Sequence, residues 1–366
     1  MSDALLICGP GNTPALRHEL GFATSEALVF AELDGTRYVV ASALTRPHLE
    51  INDALTVLAY EEVGFDPALS RGVTPDAEFP AAVVRLSDQL GLDSLIVPPE
   101  FPLDVADALR TAGKQVTADR ELFAHRRRVK NSEERDAVRR AQRVAEEAMS
   151  AVIGLLRSPG TATSEELRRE AWRTFVDNGC APAPKLVIAS GPQSADLHAA
   201  GTGPVAVGAP ILLDIYPQDL QTGCWGDLSR TVCLGSPDAQ LSRMHDVVCR
   251  VLTEVARAAR PGQTGHALAL LAHEIFIESG YEVGPISDSN TQATFPHILG
   301  HGLGLELHEP PYLDTGGVAL VAGDIITVEP GLYRRGWGGV RMEDVLLITT
   351  EGSERITRFG YELQLG

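Results

Sequence analysis

Four apolar runs in the second half of this sequence each carry a carboxylate where a β-strand would bury it. They are Ile211-Leu212-Leu213-Asp214-Ile215-Tyr216, Asp227-Leu228-Ser229-Arg230-Thr231-Val232, Thr327-Val328-Glu329-Pro330 and Val340-Arg341-Met342-Glu343-Asp344-Val345. An acid in such a setting is costly unless it is paired, hydrogen-bonded or metal-bound. Alternate residues of a strand share a face, so Ile211, Leu213 and Ile215 face a core while Asp214 faces away from it. Asp227, Ser229 and Thr231 share a face of the second run, and Gly223 and Gly226 let the chain return between the two. A hairpin would put both aspartates on one surface. Taken alone, two turn aspartates explain the pair equally well.

The stretch from Pro296 to Glu309 changes that balance. It carries His297, His301 and His308 among Gly300, Gly302 and Gly304, and glycine allows close backbone approach. Three imidazoles there favour an active-site segment over isolated structural histidines. Four carboxylates contribute about −4 and two divalent ions about +4, so a hydroxide between them leaves the set near −1. Oxygen donors with one imidazole suit Mn²⁺, Co²⁺, Fe²⁺ or Zn²⁺ rather than Cu⁺ or an iron–sulfur cluster. The residues themselves point to a two-metal hydrolase.

The 366 residues suffice for two packed domains. At 44% apolar and 22% charged, the chain has the balance of a soluble globular enzyme rather than a disordered or fibrous protein. A formal net charge of −18 argues against a nucleic-acid partner, which needs concentrated basic residues. No run reaches the roughly 18 apolar residues of a membrane helix. Met1-Ser2-Asp3 has no basic segment ahead of its apolar run, so the start reads as lacking a secretory signal. Five cysteines without a C-x-x-C pair read as reduced residues of a cytoplasmic protein.

Short strands are expected at 28–30, 37–40, 57–60 and 95–97, with helices at 81–90 and 103–112, giving a small α/β domain over residues 1–125. A second domain, 126–366, opens with helical spacing at Ala137, Val138, Ala141, Val144, Ala145 and Ala148. A capping box from Ser132 is not expected, because Arg135 stands where Glu or Gln belongs. Helices after Ser164, at 241–260 and at 265–279 alternate with strands at 211–216, 229–234, 325–329 and 340–348, an α+β arrangement.

From about Asn131 to Gly352 the chain resembles the metallopeptidase family of methionine aminopeptidase, Xaa-Pro dipeptidase (prolidase) and Xaa-Pro aminopeptidase, whose catalytic domain has the "pita-bread" fold. The resemblance rests on His297-Ile298-Leu299-Gly300-His301-Gly302-Leu303-Gly304, His308-Glu309-Pro310, Val328-Glu329-Pro330-Gly331-Leu332-Tyr333 and Val340-Arg341-Met342-Glu343-Asp344. It implies two divalent ions, with Mn²⁺ or Co²⁺ ahead of Zn²⁺ or Fe²⁺, on Asp214, Asp227, His301, Glu329 and Glu343. By the same resemblance Asp214 chelates one ion, Asp227 and Glu343 bridge the pair, and His301 with Glu329 completes the other. Glu329 accepts the proton of the attacking water, His308 steadies the oxyanion, and His198 bonds the scissile amide. His297 lines the leaving side of the pocket and Arg341 braces Glu343.

An upstream α/β domain of this size favours the proline-specific branch: hydrolysis before proline in short peptides, by a homodimer. Two departures stand out. Asp214 and Asp227 lie two residues further apart than is usual, an excess expected in a longer turn around Pro217 to Thr222. No Arg occurs between Glu309 and Glu329, where prolidases often carry the arginine that binds the substrate carboxylate. Arg334 and Arg335 are replacement candidates, though surface positions suit both. The other readings are an aminopeptidase P acting on longer peptides and a non-enzymatic interaction protein on the same fold.

Overall fold

The computed structural model describes residues 3–64, 75–160, 162–183, 185–197, 199–287 and 292–366. Two compact units divide the chain, Met1–Arg127 and Arg128–Gly366.

The first unit is built on strands β1 (Ala4–Pro10), β2 (Ala27–Leu33), β3 (Thr36–Ala41), β4 (Leu55–Ala59), β5 (Ser94–Val97) and β6 (Gln115–Ala118). They form one mixed sheet in the order β4-β3-β2-β1-β5-β6. Both faces are apolar, as the two-residue period demands. Leu6, Cys8, Val29 and Val40 pack against Val83, Leu86, Val105 and Leu109 of helices α1 (Pro75–Gln89) and α2 (Leu103–Thr111). Ile7, Leu28, Phe30 and Val39 pack on the other face with Leu16, Leu20 and Phe123.

The second unit begins with helix α3 (Ser132–Leu156), and its start corrects the sequence reading by one residue. Asn131 is the cap: its side chain accepts from Glu134 N–H, and Glu134 accepts from Asn131 N–H, both at 2.9 Å. Helix α4 (Ser164–Asp177) does the same with Thr163 and Glu166. Each box satisfies N–H groups that the first turn leaves open. Both helices cover one face of a sheet in which β7 (Val187–Ser190), β8 (Ile211–Ile215) and β9 (Leu228–Leu234) are adjacent and antiparallel. Val144, Ala148, Val152 and Phe175 meet Ile211, Leu213, Ile215 and Val232 there.

Helices α5 (Ala239–Ala258) and α6 (Gly265–Glu278) cover a second apolar layer that includes Ile326, Val328, Leu332, Val340 and Leu346. Its strands are β10 (Gly300–Gly302), β11 (Glu309–Leu313), β12 (Ile325–Val328), β13 (Gly331–Arg334), β14 (Gly338–Arg341) and β15 (Asp344–Ile348). The single strand expected over 340–348 is two strands in two sheets. β12 pairs with β15 and β13 with β14, so a long hairpin from Ile325 to Ile348 crosses between sheets with both arms at once. Glu329 lies in one crossing and Glu343 in the other. The architecture is α+β, an α/β unit followed by a pita-bread-like catalytic unit with helices outside and polar strand faces inside. No helix among the described residues is long and apolar enough to cross a membrane.

Candidate metal centre

Antiparallel pairing sets the first two acids. β8 and β9 place Asp214 opposite Ser229, whose hydroxyl donates to Asp214 Oδ1 at 2.7 Å. Asp227 stands just ahead of β9, and its N–H donates to Gln142 Oε1 of α3 at 2.9 Å. That approach requires a bare backbone at Gly226: a Cβ there would come within 2.5 Å of Ala141 C. Between the two aspartates the chain makes a small turn, in which Asp219 accepts from Thr222 N–H and Oγ1–H at 2.8 Å each.

The hairpin crossings set the two glutamates. Their N–H groups bond to third strands or loops, Glu329 to Leu299 O at 2.8 Å and Glu343 to Ser229 O at 3.0 Å. His301, on β10, turns Nδ1 toward Gly302 O at 3.1 Å. A carbonyl only accepts, so Nδ1 carries a proton; Nε2 faces inward, donating to Glu329 when the ring is protonated and offering its lone pair to an ion when it is not. That Nε2 is 3.3 Å from Glu329 Oε1 and 3.9 Å from Asp227 Oδ2. Asp227, His301 and Glu343, all buried, bring ligand atoms within 4.8 Å of one another. Gly300 and Gly302 admit this packing, since a Cβ at Gly300 would sit 2.1 Å from Thr327 O.

The acids crowd each other. Burial, then the charges of Glu343 and Asp214, pushes the Asp227 carboxyl well above the usual range. Burial, then Glu329 and Asp214, does the same to Glu343. Burial also acts upward on Glu329, but the hydrogen bond and charge of His301 outweigh it and bring that carboxyl down to about 2. Four acids against one guanidinium, Arg341, leave a formal excess near −3, which divalent cations would offset. Four carboxylates and a correctly oriented imidazole beside them fit a site for hard to borderline divalent ions. The donor set fits the group that the sequence implied.

Without metal, folded Asp227 and Glu343 hold protons above their unfolded values near 4, so folding binds protons and stability falls as pH rises through the raised values. With metal bound both must be ionised, and the slope reverses. The difference in Tm between manganese-loaded and chelated protein should widen steadily from about pH 5 to pH 8. A gap independent of pH would refute the shared protonation.

The remaining site residues have distinct places. Arg341 was expected to brace Glu343; instead its Nη2 lies 2.6 Å from Asp214 Oδ2 and its Nε donates to Ser229 Oγ at 3.0 Å. The reason is register: Arg341 ends β14, where its backbone is tied to Thr231 of β9, while Glu343 lies beyond the crossing. His297 Nδ1 donates to Ile298 O at 2.7 Å, so its Nε2 accepts from Tyr333 Oη at 3.1 Å. With both nitrogens engaged, His297 presents its ring to the cleft. His308 is exposed at the rim, its ring centroid 4.3 Å from that of His301, and partial desolvation of its ring together with the charge of His301 lowers its pKa. His198 lies outside the described residues.

Three supporting residues escaped the sequence reading. Arg230 is buried inside β9 and donates to Glu343 O at 2.5 Å, to Ser229 O at 2.9 Å and to Asp344 Oδ1 at 2.9 Å. Its position was visible as a cation in an apolar run. Gln142, on α3, carries Asp227 N–H at one end and donates to Thr357 Oγ1 at 3.1 Å from the other. Lys130 forms a buried ion pair with Glu309, next to His308 in the chain. Neither of the last two had a local signal.

The acids, His297, His301, His308 and Arg341 line one cleft of about 480 Å³, together with Lys185, Val187, Leu197, Tyr216 and Tyr312. Comparison with known proteins agrees with this geometry. The profile of metallopeptidase family M24 matches residues 136–350. An Xaa-Pro dipeptidase of Pyrococcus furiosus is 32% identical over 237 residues, 64% of each chain. Among solved structures, an Xaa-Pro dipeptidase from Bacillus anthracis superposes with a TM-score of 0.83 at 23% identity, covering 99% of this chain and 95% of that one. An X-Pro aminopeptidase from Thermotoga maritima gives 0.81 at 22% identity, over 99% and 97%. The chain belongs to metallopeptidase family M24.

Proposed function

We propose that this chain hydrolyses the peptide bond before proline in short peptides, as an Xaa-Pro dipeptidase. The observation that carries the reading is the cluster of Asp227, His301 and Glu343 at the base of a cleft also lined by Asp214 and Glu329. A cleft of about 480 Å³ is within the usual range for small ligands, and the Pyrococcus relative bears the name of this activity. Two divalent ions, with Mn²⁺ or Co²⁺ preferred, would lower the pKa of a water and polarise the scissile carbonyl.

The chain's own groups divide the rest. Asp214 and Asp227 would hold the ions from the β8–β9 side, Glu329 and Glu343 from the hairpin, and His301 from β10. Glu329, the carboxylate kept ionised, accepts the proton of the attacking water. His308 stands at the rim as a neutral imidazole that can donate to the developing oxyanion. Tyr333 and Ile298 O hold His297 as a fixed wall for the substrate.

Dialysis against a chelator should abolish hydrolysis of Ala-Pro, and Mn²⁺ or Co²⁺ should restore it. In the loaded enzyme, amidating the C-terminus of Ala-Pro should lower kcat/KM at least about tenfold, or 1.4 kcal/mol. Equal or better rates on the amide and on Ala-Pro-Ala would replace this reading with aminopeptidase P. Metal-independent binding of a macromolecule without hydrolysis of any peptide would favour an interaction protein.

A further inference from the structure

Four carboxylates line the cleft, a charge that two divalent ions would largely offset without leaving a surplus for a substrate anion, and the whole chain carries a net charge of −18. A peptide carboxylate close to the scissile bond therefore needs a cation of the protein's own to offset its desolvation. Among the described residues two cations line the cleft, Arg341 and Lys185. Arg341 is engaged by Asp214 and Ser229. The segment from Glu309 to Glu329 contains no arginine.

Lys185 differs from the chain's other lysines. Lys114 is paired with Asp88 and Asp93, and Lys130 with Glu309. Lys185 is exposed, and no ion pair or hydrogen bond of its ammonium group is found among the described residues. It leads into β7, where Val187 stands opposite Asp214. Continuing that register outward sets Lys185 opposite Tyr216, with Val187 and Tyr216 both on the cleft wall. Two residues of extended chain span about 7 Å, roughly the length of a dipeptide. An ammonium on that rim is within reach of a group one residue from a carbonyl seated at the metal cluster.

We propose that Lys185 is a specificity-determining residue that pairs with a substrate carboxylate one residue from the scissile bond. Such a carboxylate is either the free C-terminus of a dipeptide or the acidic side chain of the residue before proline. The assignment rests on the peptidase reading above.

The test uses the full chain loaded with Mn²⁺, as wild type, Lys185→Met and Lys185→Arg. The paired substrates are Ala-Pro with its amide, Glu-Pro-amide with Gln-Pro-amide, and Ala-Ala with its amide. The wild type should prefer the carboxylate member of one pair, and Lys185→Met should cut that preference roughly tenfold, chiefly through KM. Lys185→Arg should keep most of it. Collapse in the Ala-Pro pair identifies the C-terminus, and collapse in the Glu/Gln pair identifies the side chain. Unchanged preferences in Lys185→Met, or a uniform loss on every peptide, would overturn the proposal. If the wild type cleaved only the Ala-Ala pair, the proline reading would fail while the same ratio still judged Lys185. A chain that cleaved none of them would overturn both.

Discussion

Replacing Asp227 or Glu343 by alanine is expected to lower hydrolysis by at least about a thousandfold and bound metal toward one or zero ions per chain. The two residues are 4% and 2% exposed, packed in place against the wall of the cleft. Their carboxyls are driven upward by burial and by each other's neighbours, which marks them as strained in a metal-free protein. A second readout separates ligand loss from misfolding. Asp227→Asn keeps the shape and removes the charge, so chelated Asp227→Asn should be at least as stable as chelated wild type. It should, however, gain little stability from added Mn²⁺. Near-normal turnover after metal removal and reconstitution would refute the ligand assignment. So would full metal-induced stabilisation of the asparagine variant.

The largest expected effect on folding comes from Arg230, which contributes no atom to the cluster. Its guanidinium is 2% exposed and bonds to the carbonyls of Ser229, Glu343, Phe359 and Gly360, besides Asp344. Arg230→Met leaves these acceptors and a buried carboxylate short of donors, at a cost of about 3–5 kcal/mol. In a unit of this size that is a fall in Tm of roughly 10 °C. Metal affinity should fall with it, because Arg230 ties the backbone of Glu343 to β9. Arg230→Lys should recover little, since one ammonium cannot replace a planar five-donor fork. A loss below about 1 kcal/mol in chemical denaturation of the chelated protein would show that Arg230 is not a brace.

The acids and His301 were legible because ionisable groups in apolar runs violate a local pattern, and local patterns survive in a linear sequence. Strand and helix positions followed for the same reason. What stayed hidden depends on distant partners. Gln142 meets Asp227 across 85 positions, and Lys130 meets Glu309 across 179. The partner of Arg341 was misjudged because the resemblance pointed to Glu343, whereas the strand register delivers Asp214. The helix starts slipped by one residue because the visible Ser132 and Ser164 each follow a better cap. The break at Met342–Glu343 was missed because Glu343 and Asp344 were taken as acids within one continuous strand rather than as its interruption.

That break has a consequence for how the molecule holds together. Both arms of the hairpin change sheets at the same level, and each crossing carries one glutamate. In the chelated protein the crowded acids, eased only by the protons that Asp227 and Glu343 take up, sit where the backbone has given up its regular pairing, the weakest stitch of the ladder. Cations shared by Glu329, Glu343 and the aspartates of β8 and β9 would rivet the hairpin to a third strand at that point. The affinity of the centre for its ions is then part of the free energy that keeps two sheets together. Catalytic machinery and tertiary fastening would then be the same set of bonds.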